Sequence, residues 1–159
     1  MRPPDEVLIF ELDGARYGLP AHCVRQIVRA VLPTPLPGLG HGAALEGLID
    51  LHGEVVPLFD VRARFGLPAR QLRPGDQLVV LELRSRTVAL RADAVLGLES
   101  IDETLRAEVA GLTGPFPHLA GVLRLGDGLV LLQDLEQFLT RTEELALDAA
   151  LANRPERLP

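Results

Sequence analysis

Residues 34–66 read TPLPGLGHGAALEGLIDLHGEVVPLFDVRARFG, and the fold turns on how this stretch divides. Its opening is punctuation. Pro33, Pro35 and Pro37, followed by Gly38, Gly40 and Gly42, give Leu32 to Gly42 no core-facing period, so that segment is a loop. Glu46 to Leu51 and Glu54 to Asp60 are two strand-like runs flanking His52-Gly53, a hairpin signal. In the second run both alternating sets are apolar: Val55, Pro57 and Phe59 on one, Val56 and Leu58 on the other. That pattern marks a strand covered on both faces. Asp60 then precedes Val61-Arg62-Ala63-Arg64-Phe65 and is placed to cap a short helix over 60–65, leaving Arg62 and Arg64 as solvated charges.

Outward from this stretch, short strands dominate. Val7 to Leu12 puts Leu8, Phe10 and Leu12 on one face, and Asp13-Gly14 turns the chain into Ala15 to Leu19. Val24 to Val31 is rich in β-branched residues, entered through a helical turn near 20–25. Further runs lie at Leu78 to Leu83, Val88 to Val95, Leu119 to Leu125 and Leu129 to Leu132, the last two joined by Gly126-Asp127-Gly128. A short helix is expected at Asp102 to Ala110 and a longer amphipathic one at Gln133 to Ala152, with Leu135, Phe138, Leu139, Thr142, Leu145 and Ala146 on one side. The chain is therefore expected to be mainly β, built as small barrels or a sandwich closed by a C-terminal helix. Nothing alternates strand with helix as a doubly wound sheet would. The loop at 66–75 divides the strands into two similar sets, within a single domain over 1–140 and an extension over 141–159.

Composition removes several activities. The 159 residues carry a net charge of −6, and all 16 basic residues are arginine. Without lysine there is no P-loop lysine, no Schiff base and no lysine general base. Acidity and 4% aromatic content argue against nucleic-acid binding and against an anionic membrane surface. No run approaches the ~18 apolar residues of a membrane span and no signal peptide is visible, so a cytoplasmic location is expected.

The candidate chemical motifs have simpler readings. Gly38-Leu39-Gly40-His41-Gly42 lacks the strand and helix that a phosphate loop requires. His22, His41, His52 and His118 share no metal-ligand spacing, so no metal or cofactor is expected. Cys23 sits among Ala21, Val24, Ile27 and Val28, where an inert buried thiol is the default over a nucleophile. Ser85 and Ser100 lack a nucleophile elbow. Asp50, Glu54 and Asp60 could pair as acid and base, but Asp60 is better explained as a cap. What remains is an arginine-bearing β domain without a catalytic constellation, as in a protein-interaction module.

The same stretch resembles the signature region of the CheW family of chemotaxis coupling proteins. Gly47-Leu48-Ile49-Asp50-Leu51-His52-Gly53 and Pro57-Leu58-Phe59-Asp60-Val61-Arg62 stand where that family has Gly-Val-Ile-Asn-Leu-Arg-Gly and a Pro, two apolar residues, then Asp-Leu-Arg. Phe10 and Tyr17-Gly18-Leu19, Val24 to Val28, Leu90 to Val95 with Asp93, Leu119 to Val122 and Leu129 to Leu135 match in order over about residues 6–140. The resemblance implies two five-stranded SH3-like β-barrels sharing a hydrophobic core, no catalysis and no cofactor. It also implies two partners: the regulatory domain of a CheA-type histidine kinase and the cytoplasmic tip of methyl-accepting chemoreceptors, the latter held as a helix in an apolar groove. On this reading Val24, Gln26, Ile27, Val28 and Val95 are groove candidates, and Asp50, Leu51, His52 and Gly53 form the motif turn. Two departures stand out: Asp50 and His52 replace the family's Asn and Arg, and Gln26 its Glu. A diverged adaptor serving another motility or localisation factor is the competing reading.

Overall fold

The computed structural model describes residues 6–36, 44–62, 65–84, 86–102, 106–107, 119–126, 128–133 and 148. The N-terminal hairpin pairs β1 (Glu6–Leu12) with β2 (Ala15–Pro20). Its turn places Asp13 at φ 50° and Gly14 at φ 79°, the left-handed pair of a tight hairpin. A 3-10 turn, Ala21–Cys23, leads into β3 (Val24–Arg29). The quoted stretch forms β4 (Leu45–Leu51) and β5 (Glu54–Phe59). Then come β6 (Gln77–Glu82), β7 (Thr87–Ala92), β8 (Ala94–Ser100), the two-residue β9 (Arg106–Ala107), β10 (Leu119–Leu125) and β11 (Gly128–Gln133).

These strands make two sheets. One runs β8-β1-β2-β11-β10-β9 and the other β3-β6-β7-β5-β4. Each contains one parallel pair, β2 with β11 and β5 with β7, and every other neighbour is antiparallel. Apart from β9 the two share one plan, which is the expected pair of five-stranded units. In the five-stranded sheet, Arg25 on edge strand β3 reaches Glu54 at the start of β5, next to the opposite edge, so the sheet curls on itself.

Strand alternation distributes the apolar residues over distinct cores. On β1, Val7 and Ile9 join Leu123, Val130 and Leu132 inside the six-stranded sheet, while Leu8, Phe10 and Leu12 point the other way. On β6, Leu78 and Val80 join Ile49, Val56, Leu58 and Ala89 inside the five-stranded sheet, while Val79 and Leu81 point away. The outward sets meet in a shared core with Tyr17, Leu19, Phe59, Val61 and Leu90. Phe10, Tyr17 and Phe65 stack in sequence there, with ring centroids 5.7 and 4.9 Å apart.

Several sequence expectations change. The 66–75 loop does not separate the sheets, because it joins β5 to β6 of the same one. The chain changes sheet between β2 and β3, and again at Asp93. The run Val88 to Val95 is thus two strands, broken at Asp93, whose N–H donates to the Glu11 carbonyl and whose carboxylate is held by arginines. Of the helix expected at 60–65, residues 63 and 64 lie outside the described residues, and those on either side form turns in which the Phe65 amide donates to the Val61 and Arg62 carbonyls. Arg106 and Ala107, expected in a helix, instead pair with β10, whose unpaired edge offers more hydrogen bonds than an isolated turn. Gln133 ends β11 opposite Leu119 and does not begin a helix. The rest of the C-terminal helix lies outside the described residues, apart from Asp148, which accepts from Arg86 at 2.7 Å.

Candidate functional site

The signature turn is built by backbone chemistry first. His52 adopts φ 51° and Gly53 φ 91°, the left-handed pair that closes a two-residue hairpin. Asp50 Oδ1 accepts from the Gly53 N–H at 2.7 Å, holding the turn from below. Gly47, at the other end of β4, has a different reason to be glycine. Its C-terminal neighbour Leu48 bridges to Thr34: the Thr34 N–H donates to the Leu48 carbonyl at 2.7 Å and the Leu48 N–H returns the bond at 2.8 Å. A Cβ on Gly47 would stand 2.8 Å from the Thr34 carbonyl carbon and 3.2 Å from Pro33 Cβ, and closer still to the Thr34 oxygen.

The candidate residues lie on β3, in the β4–β5 turn and, for Val95, on β8 of the other sheet. Asp50, His52 and Gly53 are exposed in the turn, and Leu51 is half-buried against that sheet's interior. Arg25 is the bulged residue of β3, between Val24 and Gln26 in the register with β6, and its side chain reaches Glu54 just after the turn at 2.7 Å. At the far end of β3, Arg29 pairs with Gln77, whose Oε1 accepts from the Val95 N–H at 2.8 Å. Strand β3 therefore runs from the signature turn toward Val95. Along it Ile27 is 39% exposed, while Val24 and Val28 pack partly inward, Val24 on the shared core and Val28 on the sheet interior. Val95 also packs on the shared core and Gln26 is half-buried. Ile27 and the turn thus carry the exposed surface, and the neighbouring valines hold it in place.

Sequence reasoning missed two features. Val31, Leu32, Leu96 and Leu98 are exposed apolar residues, the first pair following β3 and the second on β8, an edge strand of the other sheet among the described residues. Continuing the apolar alternation past Val95 through Leu96-Gly97-Leu98 would have found the second pair.

The other is a charge network where the sheets meet. Arg62, expected in solvent, is 2% exposed. It donates to Asp93 at 2.7 and 2.8 Å, pairs with Asp13 at 2.7 Å and donates to the Pro68 carbonyl at 3.1 Å. Arg70 pairs with Asp76 and Asp93, and Arg91 with Asp60 and Glu46. Burial alone would raise the Asp93 carboxyl, but hydrogen bonds from Arg62, the Asp13 amide and Arg70 outweigh it and hold it at about 2. Asp60 Oδ1 accepts from the Arg62 N–H at 3.0 Å, so its expected cap is made, over a turn. Motif residues Asp60 and Arg62, together with Asp93, therefore serve the sheet junction. Arg64, His41 and His118 lie outside the described residues. Among the described residues no group of three or more His, Cys, Asp or Glu could hold a metal ion.

With this geometry in view, the chain compares as follows. The CheW-like domain family matches residues 6–143. Protein FrzA of Myxococcus xanthus is 32% identical over 125 residues, covering 77% of this chain and 76% of that one. Chemotaxis protein CheW of Klebsiella aerogenes is 29% identical over 149 residues, covering 89% and 85%. The crystal structure of scaffolding protein TtCheW from Thermoanaerobacter tengcongensis superposes with a TM-score of 0.74 at 24% identity, over 89% of this chain and 92% of that one.

Proposed function

Because the chain belongs to the CheW-like domain family, we propose that it is a chemotaxis coupling adaptor. It has no catalytic step and joins chemoreceptors to a CheA-type histidine kinase by protein–protein binding. The observation that carries this reading is the surface running from the exposed Asp50–Gly53 turn along β3 to Val95, with Ile27 as its exposed apolar anchor. Such a strip suits a receptor helix laid across it, with the apolar residue giving affinity and the polar turn giving register. The names of the relatives support the pathway. Among the described residues no helix is long and apolar enough to cross a membrane, and an adaptor of this kind acts in the cytoplasm beside receptor arrays.

The experiment is titration calorimetry of the full chain against a kinase regulatory domain and, separately, a receptor tip hairpin, both encoded near this chain. Binding to both is expected. Binding to one marks a modulator within the array, and binding to neither at high micromolar concentration overturns the coupling role.

A second reading, an adaptor diverged toward another motility or localisation partner, is favoured by one position. Asp50 makes the turn bond that an asparagine oxygen would also make, so the turn is kept. The change at the exposed tip is His52 where the family has arginine, which loses a fixed cation able to bind a carboxylate in two-pronged fashion. If kinase or receptor binding appears only in the Asp50→Asn, His52→Arg double variant, divergence is the better account.

A further inference from the structure

Glu46 is the extra residue of a β-bulge. Leu45 pairs with Phe59 and Gly47 with Leu58, so nothing on β5 faces Glu46. A bulge on an edge strand re-aims one side chain, and this one brings Glu46 Oε1 to 3.1 Å from Arg91 Nη2. That nitrogen is already committed. It also donates to Asp60 Oδ2 at 2.5 Å and to the Arg70 carbonyl at 2.8 Å. Two N–H bonds thus face three acceptors, while Arg91 Nε, Arg91 Nη1 and Glu46 Oε2 are buried without hydrogen-bond partners among the described residues.

The surrounding charges are unfavourable to an ionised Glu46. Arg91 comes from β7, Asp60 from the end of β5 and Asp76 from the lead into β6. Arg70, the next cation, is engaged by Asp76 and Asp93. An ionised Glu46 therefore competes with Asp60 for a single guanidinium. A protonated Glu46 leaves the Asp60–Arg91 pair balanced in charge.

We propose that the Glu46 bulge is a proton-operated latch on β4: protonated Glu46 holds the start of the strand in the sheet, and ionised Glu46 loosens it and the run into the Asp50–Gly53 turn. Strand β4 is the place for this, since it is an edge strand that pairs along its length with β5 and, among the described residues, is held on its other side by the single Thr34–Leu48 bridge. Burial raises the Glu46 carboxyl most, Arg91 lowers it, and Asp60 and Asp76 raise it again, to about 7. The sign follows from linkage. Between the ordinary value of 4.5 and about 7 the folded chain binds a proton that the unfolded chain has lost. Stability from this group is greatest on the acid side and falls as pH rises through that window. Asp93, held at about 2, has completed its opposite contribution at lower pH and does not mask the effect.

The test uses the full chain. Carbon-13 NMR of the Glu46 side-chain carboxyl is expected to titrate near neutrality. Thermal and urea unfolding between roughly pH 5.5 and 8 should show the wild-type unfolding constant rising about tenfold or more relative to Glu46→Gln, whose other titrations cancel in the comparison. Amide exchange at Leu45, Gly47 and Leu48, corrected for intrinsic rates, should accelerate over the same range in the wild type alone. Parallel pH profiles for the two proteins, or a carboxyl that titrates at its ordinary value, overturn the latch. If Glu46→Gln does not fold, the titration of the native protein decides by itself.

Discussion

Replacing Asp93 with asparagine tests the sheet junction directly. Asp93 is the residue at which the chain leaves β7 for β8, and so leaves one sheet for the other. Its Oδ1 accepts from Arg62 at 2.8 Å and Arg70 at 2.5 Å, and its Oδ2 from Arg62 at 2.7 Å and the Asp13 N–H at 2.9 Å. Asparagine keeps the shape but turns one acceptor into a donor. That NH2 would face another donor, and the near-buried Arg62 would keep, among the described residues, only Asp13 as an anionic partner. Breaking a buried pair from one side costs about 3–5 kcal/mol, because the other charge is stranded. Asp13 and Asp76 retain part of the compensation, which reduces the expected loss to about 2–4 kcal/mol at pH 7. For a chain of this length that lowers Tm by roughly 5–15 °C. The pH dependence gives a second signature. With its folded value depressed to about 2 from 3.8, Asp93 stabilises fully above the ordinary value, and that stability is lost as pH falls toward 2. The variant should lack this acid limb. Urea denaturation at neutral pH and again between roughly pH 2 and 4 measures both. A loss under about 0.5 kcal/mol at pH 7, or an unchanged acid limb, would refute the argument that these arginines depend on Asp93.

Other substitutions separate backbone, turn and surface effects. Gly47→Ala forces a Cβ against the Thr34 carbonyl; a loss of about 1–3 kcal/mol in urea melts is expected, and a neutral result would mean that the 34–48 bridge yields freely. Asp50→Ala removes the acceptor of the Gly53 N–H and should cost about 1 kcal/mol, whereas Asp50→Asn should stay within about 0.5 kcal/mol because its oxygen can accept the same bond; equal losses would show that the turn does not use this bond. Arg25→Ala breaks an ion pair whose side chains are 39% and 43% exposed, so a change of at most about 0.5 kcal/mol in thermal unfolding is expected. A larger loss would make the pair a principal tie across the curled sheet.

Local chemistry alone determined much of this protein. Asp13-Gly14 and His52-Gly53 are residues that tolerate positive φ, flanked by alternating apolar runs, and both close hairpins where expected. The double apolar face of β5 announced burial on both sides, and Val56 and Leu58 indeed face the sheet interior while Phe59 faces the shared core. The motif around Gly47 to Arg62 was sufficient to place the family, because turns and strand periods are written in neighbouring residues. The tertiary structure alone decided where the chain changes sheets, since nothing local at Asp93 distinguishes a broken run from a continuous strand. It also decided that Arg62, between Val61 and Ala63 in sequence, is buried: its partners Asp13 and Asp93 lie far along the chain and are brought near only by the joining of the two sheets. The exposure of Ile27, on a strand whose neighbouring valines turn inward, likewise depends on β3 being the edge of its sheet. Strand period shows which residues share a face, but which face is covered depends on what packs there, and for an edge strand that is set by the assembled sheets.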